Sequence, residues 1–219
     1  MNELVSVVIP VRDGGRFLAA AIESVLAQDY EPLEAIVVDD GSTDDSFDTA
    51  TKFGSPVRLV SQAAQGVAAA LNHGVQQSSG GLLAFVDADD LWTPGKLNRQ
   101  AALLAEQPGL DAVFGHAEHF RGDDPTVITI RAQPAYSKGT MLIRRAAYDR
   151  AGAFSSEWRL GEFVDWYARA VDAGVSSVML PDVLLLRRVH DNNMGVLHRA
   201  DHGDYARVLK AVLDRRRAT

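Results

Sequence analysis

Short apolar runs alternate with amphipathic segments of helical period over residues 1–106, and this alternation limits the possible folds more than any other feature. The apolar runs are rich in β-branched residues, as is typical of strands buried on both faces, and they lie at residues 4–9, 34–38, 57–60 and 81–86. Strands joined by helical crossovers pair in parallel. The sequence therefore predicts an α/β fold with a mostly parallel, Rossmann-like sheet that is flanked by helices.

Two local patterns predict where helices of this region begin. Ser42 and Asp45 have the spacing of a capping box, and Thr93 precedes a proline that suits the first helical position. We therefore expect one helix to start at Ser42 and another at Thr93.

Residues 107–219 have a different pattern, which predicts a small mixed or antiparallel extension of the sheet. Strands are expected at residues 111–116, 126–130, 138–143, 177–180 and 183–186, with Pro181 separating the last two. Helices are expected at 161–173 and 205–217, the second with Val208, Leu209, Val212 and Leu213 facing inward. No linker or repeat interrupts the chain, so we expect one domain over 1–219 with a front part, 1–106, and a back part, 107–219.

Composition and charge exclude several classes of protein. The chain has no cysteine, so disulfides and thiolate metal sites are excluded. Its net charge is −7, with −9 in residues 1–110 and +2 in 111–219, which argues against non-specific nucleic-acid binding. No apolar run reaches the roughly 18 residues of a membrane span, and the start lacks the basic region of a signal peptide.

These features predict a cytoplasmic protein. The run Arg215–Arg217 leaves open contact with the inner face of a membrane, although such runs are more often solvated helix ends.

Acidic residues follow three of the predicted parallel strands. Arg12-Asp13 comes after the first strand, Asp39-Asp40 after the second, and Asp87-Ala88-Asp89-Asp90 after the fourth. Ligands of open α/β sheets bind beyond the carboxyl ends of the strands, and carboxylates gathered there repel one another unless a cation is present. Oxygen ligands suit Mn²⁺ or Mg²⁺, whose other positions stay open to substrate phosphates. The sequence therefore predicts a site for a divalent cation and an anionic ligand.

Four ordered segments carry a resemblance to a known family. They are VSVVIPVRD at 5–13, IESVLAQ at 22–28, IVVDDGSTD at 36–44 and FVDADDLW at 85–92. In order and spacing the chain resembles family 2 glycosyltransferases, over about residues 4–100 and more weakly to about 195. The resemblance implies a GT-A fold, a nucleotide-diphospho-sugar donor with UDP as the nucleotide, inversion at the transferred sugar, and a divalent metal ion.

The resemblance also implies roles for individual residues. The nucleobase and ribose would lie against Pro10, Val11, Arg12 and Asp13. Asp40 would accept a base N–H with Asp39 as support, Asp87 would contact the ribose beside Ala88, and Asp89 would bind the metal ion with Asp90 as an alternative. Two positions depart from the family: Arg12-Asp13 replaces a frequent Tyr-Asn, and Leu71 stands where arginine is common.

The resemblance further implies a carboxylate base, which usually belongs to a Glu-Asp pair at the start of a helix. Here Phe163 occupies the position of the second acid, so Glu162 and Asp165 remain as candidates. We favour Asp165 because it lies one turn into the helix beside Trp166, on which a sugar ring could stack. The alternatives are structural: Glu162 as a helix cap and Asp165 as the partner of Arg169 at i+4.

The back part supplies one candidate metal ligand. His190 matches the late Arg-x-His-x-x-Asn stretch of the family, in which a histidine completes the metal shell or contacts the phosphates, and Arg187 and Arg188 could offset the diphosphate charge. A half-buried histidine in a polar loop is the alternative. Two other pairs have ligand-like spacing, and we expect neither to be functional. His116 and His119 lie on a predicted strand, where their separation points the rings to opposite faces, and no acid-rich segment accompanies His198 and His202.

Together these observations predict a glycosyltransferase that moves one sugar to a hydroxyl acceptor, which could be a saccharide, a lipid-linked group or a small molecule. Two alternatives stay open: a degenerate module that binds a nucleotide sugar without transferring it, and a nucleotidyltransferase, which would need a Gly-rich phosphate loop of which Gly14-Gly15-Arg16 is a faint form. No nucleic-acid partner and no transmembrane segment are expected, and a homodimer stays open.

Overall fold

The computed structural model describes residues 2–158, 160–190 and 202–218. The strands are β1 (Val5–Val11), β2 (Leu33–Asp39), β3 (Val57–Ser61), β4 (Leu82–Phe85), β5 (Leu91–Trp92), β6 (Ala112–Arg121), β7 (Ile128–Ala135), β8 (Leu142–Arg144) and β9 (Ser177–Val189). The helices are α1 (Gly15–Leu26), α2 (Ser46–Thr51), α3 (Val67–Gln77), α4 (Lys96–Glu106), α5 (Arg145–Ala151), α6 (Glu162–Asp172) and α7 (His202–Ala218), with a 3₁₀ turn at Lys138–Thr140. Across these ranges, no helix has the length and apolarity needed to cross a bilayer.

The front part forms the predicted parallel sheet. Strands β3, β2, β1 and β4 lie side by side in that order and all three pairings are parallel. Successive residues of β1 alternate between two hydrophobic clusters: Val7 and Ile9 pack on the side of α1 and α4, and Val8 packs on the side of α3, α5 and α6. The sheet is therefore covered on both faces, which explains why its strands are apolar without a break.

The back part extends the sheet as predicted, but its elements differ in extent. Strand β8 pairs antiparallel with β4, and β6 joins β8, β9 and β7. The expected strand at 138–143 is in fact the 3₁₀ turn followed by the short β8. The two strands expected around Pro181 form one strand, β9, because Pro181 lies where the pairing with β6 shifts register between Phe114 and His116. A proline is tolerated there because no ladder hydrogen bond is lost.

Both predicted helix starts in the front part are wrong. Helix α2 begins at Ser46, and the Ser42 hydroxyl accepts the Asp13 N–H instead of capping a helix. Helix α4 begins at Lys96, and the Thr93 hydroxyl donates to the Val183 carbonyl. In each case the side chain that local spacing predicted as a helix cap forms a hydrogen bond with a distant segment instead.

The terminal helix α7 packs on α6 through a narrower stripe than expected. Val208 and Val212 are buried, but Leu209 and Leu213 are 55% and 53% exposed, so the prediction that all four face inward is wrong for two. Polar contacts complete the attachment: Arg215 donates to Asp165 over 2.8 Å and Arg216 to Asp172 over 2.9 Å. These two arginines therefore pair with α6 while their side chains stay 40% and 49% exposed, so the end of α7 is still in contact with solvent.

A buried lysine lies beneath the 3₁₀ turn. Lys96 is fully buried in α4, where its Nζ donates to Gln100 Oε1 over 2.7 Å and lies 4.2 Å from the centre of the Trp92 ring. Burial lowers the pKa of Lys96 well below its ordinary value. Removing an amine from water disfavours its charged form, so Lys96 is a cost to stability at neutral pH.

Replacement of Lys96 tests this cost. The pKa of Lys96 is lowered in the folded protein and is about 10.4 in the unfolded chain. At a pH between these two values, Lys96 is protonated in the unfolded chain more than in the folded protein. The free energy of unfolding therefore rises with pH through that range. We expect the wild type to gain stability between about pH 7 and about pH 9 and Lys96→Met to lose that gain, as measured by urea unfolding.

Lys52→Met is the matched control, since it removes an exposed lysine and should keep the pH dependence of the wild type. Equal pH dependence in the wild type and Lys96→Met would contradict the interpretation.

Candidate active site

The loops after β1, β2 and β4 meet at one edge of the sheet. Val11 at the end of β1 lies opposite Asp39 at the end of β2, and the Val11 carbonyl accepts the Asp40 N–H over 2.9 Å. The third loop is equally close, because a side chain at Gly14 would place its Cβ 3.6 Å from that of Ala88. The predicted convergence of the acidic segments is therefore present in the structure.

Asp13 fastens the first of these loops to the second. It adopts a left-handed backbone conformation with φ of 51°, and its Oδ1 accepts the Thr43 N–H over 2.7 Å and the Thr43 hydroxyl over 3.1 Å. Pro10 and Val11 are buried behind it, whereas Arg12 is exposed. The segment thus forms one wall of the edge, with Arg12 as its accessible cation.

The start of α1 is occupied by the chain's own side chains. The Gly14 N–H donates to Ser46 Oγ over 3.1 Å, and the Gly15 N–H donates to Asp44 Oδ2 over 2.9 Å. Burial would raise the pKa of Asp44, but the hydrogen bonds that Asp44 accepts from the Ser46 hydroxyl and from the Gly15 and Ser46 N–H groups outweigh burial and lower the pKa. A carboxylate therefore lies where a Gly-rich phosphate loop would need free backbone N–H groups.

Asp40, directly after β2, holds the segment that follows β3. Its Oδ1 accepts the Gln62 side-chain amide over 2.7 Å and the Gln65 N–H over 2.8 Å, while its Oδ2 accepts the Gly66 N–H over 2.8 Å. Its neighbour Asp39 is also buried and accepts the Ser42 N–H over 3.0 Å. Since a carboxylate offers about four acceptor sites, three internal hydrogen bonds leave Asp40 about one for a ligand.

The turn after β4 places its acidic residues in different surroundings. Asp90 is buried, and its Oδ1 accepts the Arg188 N–H over 2.9 Å. Burial raises the pKa of Asp90 well above its ordinary value, and the charges of Asp89 and Asp87 add to this effect. Asp87 and Asp89 stay partly exposed at the edge, as the alternating pleat predicts, whereas Asp90 belongs to the interior.

Asp89 and His190 form the best candidate pair for a metal ion. Their Oδ2 and Nε2 atoms are 3.0 Å apart, and both side chains are partly exposed. Burial raises the pKa of Asp89, as does the charge of Asp87, while the hydrogen bond and charge of His190 oppose the rise. Adjacent ligands held about 2.1 Å from one octahedral ion are themselves about 3.0 Å apart, so the pair fits two positions of Mn²⁺ or Mg²⁺.

The protein offers few further ligands at that point. Within residues 2–158, 160–190 and 202–218, no group of three or more histidines and carboxylates could hold a metal ion. Asn193 and His198, which the sequence analysis considered, lie outside the described residues.

Arg188 supports the turn instead of facing the edge. Its guanidinium lies 4.6 Å from the centre of the Phe17 ring and 4.5 Å from that of Phe120. Its Nε donates to the Asp89 carbonyl over 3.1 Å, and its side chain is 4% exposed. The structure thus uses Arg188 to hold the acidic turn, whereas the sequence suggested a cation for the diphosphate.

Lys138 brings the back part of the chain to this edge. Its Nζ lies 3.2 Å from Asp87 Oδ2 and 3.2 Å from Glu162 Oε1. Burial alone would lower the pKa of Lys138, but the charges and hydrogen bonds of the two acids outweigh burial and raise it. One cation therefore connects an acid at the end of β4 with the first residue of α6.

Glu162 and Asp165 differ in what surrounds them. Glu162 faces Lys138, and through it the strand ends. Asp165 is only 1% exposed, and its two oxygens accept hydrogen bonds from Arg169 over 2.9 Å and Arg215 over 2.8 Å. The geometry therefore favours Glu162 as the base, against the preference drawn from the sequence, and assigns Asp165 the alternative role of an ion-pair partner.

Trp166 cannot serve as the sugar platform that the sequence suggested. Its ring is fully buried, 5.4 Å from Phe154 and 5.6 Å from Tyr148 between ring centres. It therefore anchors α6 in the core.

Lys138 is the residue that sequence reasoning missed. It begins the strand that the sequence predicts at 138–143, and nothing in its local pattern distinguishes it from a surface lysine. Its partners lie 51 residues before it and 24 residues after it in the chain, so only the tertiary pairing reveals it.

Solved structures share the fold of this chain over nearly all of its length. S. aureus TarS (residues 1–349) in complex with UDP superposes with a TM-score of 0.75 at 20% identity, covering 95% of this chain and 64% of that one. The mannosyltransferase PcManGT from Pyrobaculum calidifontis, in complex with GDP-Man and Mn²⁺, gives 0.74 at 20% identity, covering 96% and 65%. These similarities confirm the GT-A fold that the resemblance implied.

Sequence comparisons agree with the fold. An uncharacterized glycosyltransferase of Rickettsia prowazekii is 34% identical over 208 residues, covering 86% of this chain and 65% of that protein. Glycosyltransferase AglE of Haloferax volcanii is 29% identical over 199 residues, covering 82% and 65%. The chain thus spans less than two thirds of these relatives. The family model described as glycosyl transferase family 2 matches residues 6–159, and the chain therefore belongs to that family.

Proposed function

We propose that this protein transfers a sugar from a nucleotide-diphospho-sugar, with UDP as the nucleotide, to a hydroxyl group of an acceptor. One observation carries the proposal: the Asp89–His190 pair, the Asp87–Lys138–Glu162 bridge and the loops after β1 and β2 all lie at one edge of the sheet. The UDP and GDP-Man complexes of the two structural neighbours support a nucleotide-sugar donor.

Each part of the edge has a role in this proposal. The loop at 10–13 and the acids Asp39 and Asp40 form the nucleobase side, and Asp87 and Ala88 lie on the ribose side. Asp89 and His190 hold a divalent ion, Mn²⁺ or Mg²⁺, which when bound would stabilise the charge that develops on the diphosphate. Arg12 is exposed in the loop after β1 and contributes positive charge toward an anionic donor.

Glu162 is the proposed base. The acceptor oxygen attacks the anomeric carbon, the bond from that carbon to the diphosphate oxygen breaks with its electron pair leaving on the nucleotide diphosphate, and the acceptor proton passes to a Glu162 oxygen. A single displacement of this kind inverts the anomeric centre. Glu162 fits the task because it is the acid of α6 that faces the strand ends, and a positioned base contributes about 10²–10⁴-fold.

The two alternative functions are less well supported. Phe163, which raised the possibility of a non-transferring module, packs with Phe114 and Tyr167 while Glu162 keeps its place at the site. A nucleotidyltransferase loop is disfavoured because Asp44 and Ser46 already accept the N–H groups at the start of α1.

The metal assignment predicts that nucleotide binding depends on Asp89. We expect calorimetric titration to show UDP binding that strengthens with Mn²⁺, and Asp89→Asn to weaken the Mn²⁺-dependent binding by at least about 10-fold. Asp48→Asn is the control, since it removes an exposed carboxylate of α2 and should bind like the wild type. Binding that ignores Mn²⁺, or that survives in Asp89→Asn, would contradict the assignment. Tight binding of GDP in place of UDP would overturn the choice of nucleotide but leave the metal assignment unaffected.

The base assignment predicts opposite effects for the two acids of α6. Glu162→Gln should lower the rate of UDP release from UDP-GlcNAc by about 10²-fold or more while nucleotide affinity changes little. Asp165→Asn should keep most of the rate but lose about 1–3 kcal/mol of unfolding free energy, because it loosens the pairs with Arg169 and Arg215. Release that persists in Glu162→Gln and collapses in Asp165→Asn would restore Asp165 as the base.

The acceptor and the number of sugars added stay predictions. A hydroxyl-bearing acceptor would approach from the side of Lys138 and Glu162, and addition of a single sugar is expected. Mass analysis of the product formed with a panel of saccharide and lipid-linked acceptors tests both points.

A further inference from the structure

Lys138 joins two halves of the site that belong to distant parts of the chain. Its ammonium lies 3.2 Å from an oxygen of Asp87, at the end of β4, and 3.2 Å from an oxygen of Glu162, at the start of α6. The side chains of Lys138 and Glu162 are only 13% and 9% exposed, so this ion pair is largely shielded from water, whereas the Asp87 side chain is 38% exposed and its pair with Lys138 reaches the open edge. Shielded charge pairs with hydrogen-bond geometry are stronger and more directional than surface pairs.

Hydrogen bonds from β5 and α4 fix the backbone of the 3₁₀ turn that carries Lys138. The Gly139 carbonyl accepts the Trp92 indole N–H over 3.0 Å, and the Thr140 carbonyl accepts the Gln100 amide over 2.8 Å. A Cβ at Gly139 would lie 2.9 Å from Leu185 Cδ2, which shows how closely this turn is packed against β9. The turn therefore presents the lysine from a rigid support, and little ordering is needed when substrate binds.

The two acids need this cation. Both Asp87 and Glu162 are within hydrogen-bond reach of one nitrogen, so without it two carboxylates would face each other across the site. Like charges at such separations drive carboxylates apart or cause one to take up a proton. Either change would move the proposed base and the proposed ribose contact away from their working positions.

We propose that Lys138 is a positioning residue that sets the Glu162 carboxylate toward the donor and holds Asp87 at the ribose. This inference rests on the proposed function for its chemistry, because it deepens the roles given there to Glu162 and Asp87. It also makes Lys138 the point at which the acceptor side of the site is coupled to the donor side.

The first experiment compares Lys138→Met, Lys138→Arg and Lys52→Met. The readouts are UDP affinity with Mn²⁺ and the rate of nucleotide release from UDP-GlcNAc and GDP-mannose with water as acceptor. We expect Lys138→Met to lower kcat by about 10- to 100-fold, Lys138→Arg to recover most of it, and Lys52→Met to match the wild type. An unchanged kcat in a folded Lys138→Met protein would overturn the proposal, as would equal losses in Lys138→Met and Lys138→Arg. If the methionine variant does not fold, Lys138→Gln takes its place with the same expectations.

A double-mutant cycle separates positioning from general structural damage. If Lys138 acts on the rate through Glu162, then adding Lys138→Met to Glu162→Gln should lower kcat by less than about 3-fold further. If it acts on binding through Asp87, then adding it to Asp87→Asn should likewise change the dissociation constant of UDP very little. Losses that multiply in both cycles would show that Lys138 acts through neither acid and would overturn the proposal.

The two cycles also distinguish failure of this inference from failure of the proposed function. A wild-type rate in Glu162→Gln would refute the base assignment. Lys138 would then be judged by the UDP-binding cycle with Asp87→Asn, where coupling supports the inference and multiplied losses overturn it. Conversely, a large loss in Glu162→Gln with no loss in Lys138→Met would keep the base and reject Lys138 as its positioning residue.

Discussion

The carboxylates that follow β2 and β4 lie at one edge of a parallel sheet, and each must be balanced nearby because like charges repel strongly where water is scarce. The structure balances them in different ways. Asp40 accepts backbone and amide hydrogen bonds from one loop, and Asp90 is buried against a backbone N–H. Asp89 faces the histidine at the end of β9, and Asp87 faces Lys138. Of these four acids, Asp87 and Asp89 stay partly exposed at the edge.

The back part of the chain supplies the positive groups of this arrangement. Residues 111–219 carry a net charge of +2 against −9 for the first 110, and the pairings of β8, β6 and β9 bring that half alongside β4. Lys138 and His190 reach the edge from this half, and Arg188 holds the turn from below. The mixed extension is thus part of the site, because it supplies the partners of Asp87 and Asp89.

The parallel half of the fold was predictable because each strand and helix there follows from its own periodicity. The errors have a common cause, which is that a distant partner overrides a local signal. Ser42 bonds to the loop after β1 and Thr93 to β9, so neither caps a helix. Pro181 does not break β9, because the strand opposite shifts its register at that point. Leu209 and Leu213 stay exposed because arginine pairs as well as apolar contacts hold α7.

By itself the sequence determined the sheet and the edge at which the acids gather, because strand period and the ends of parallel strands are local or topological properties. The family followed from four ordered motifs and not from these patterns. Which acid does what was decided only by the tertiary structure. Glu162 and Asp165 are three residues apart on one helix and look equivalent in sequence, yet one faces Lys138 and the other is held by two arginines. The chemistry of a carboxylate depends on the charges and solvent around it, and those come from segments that meet only when the chain is folded.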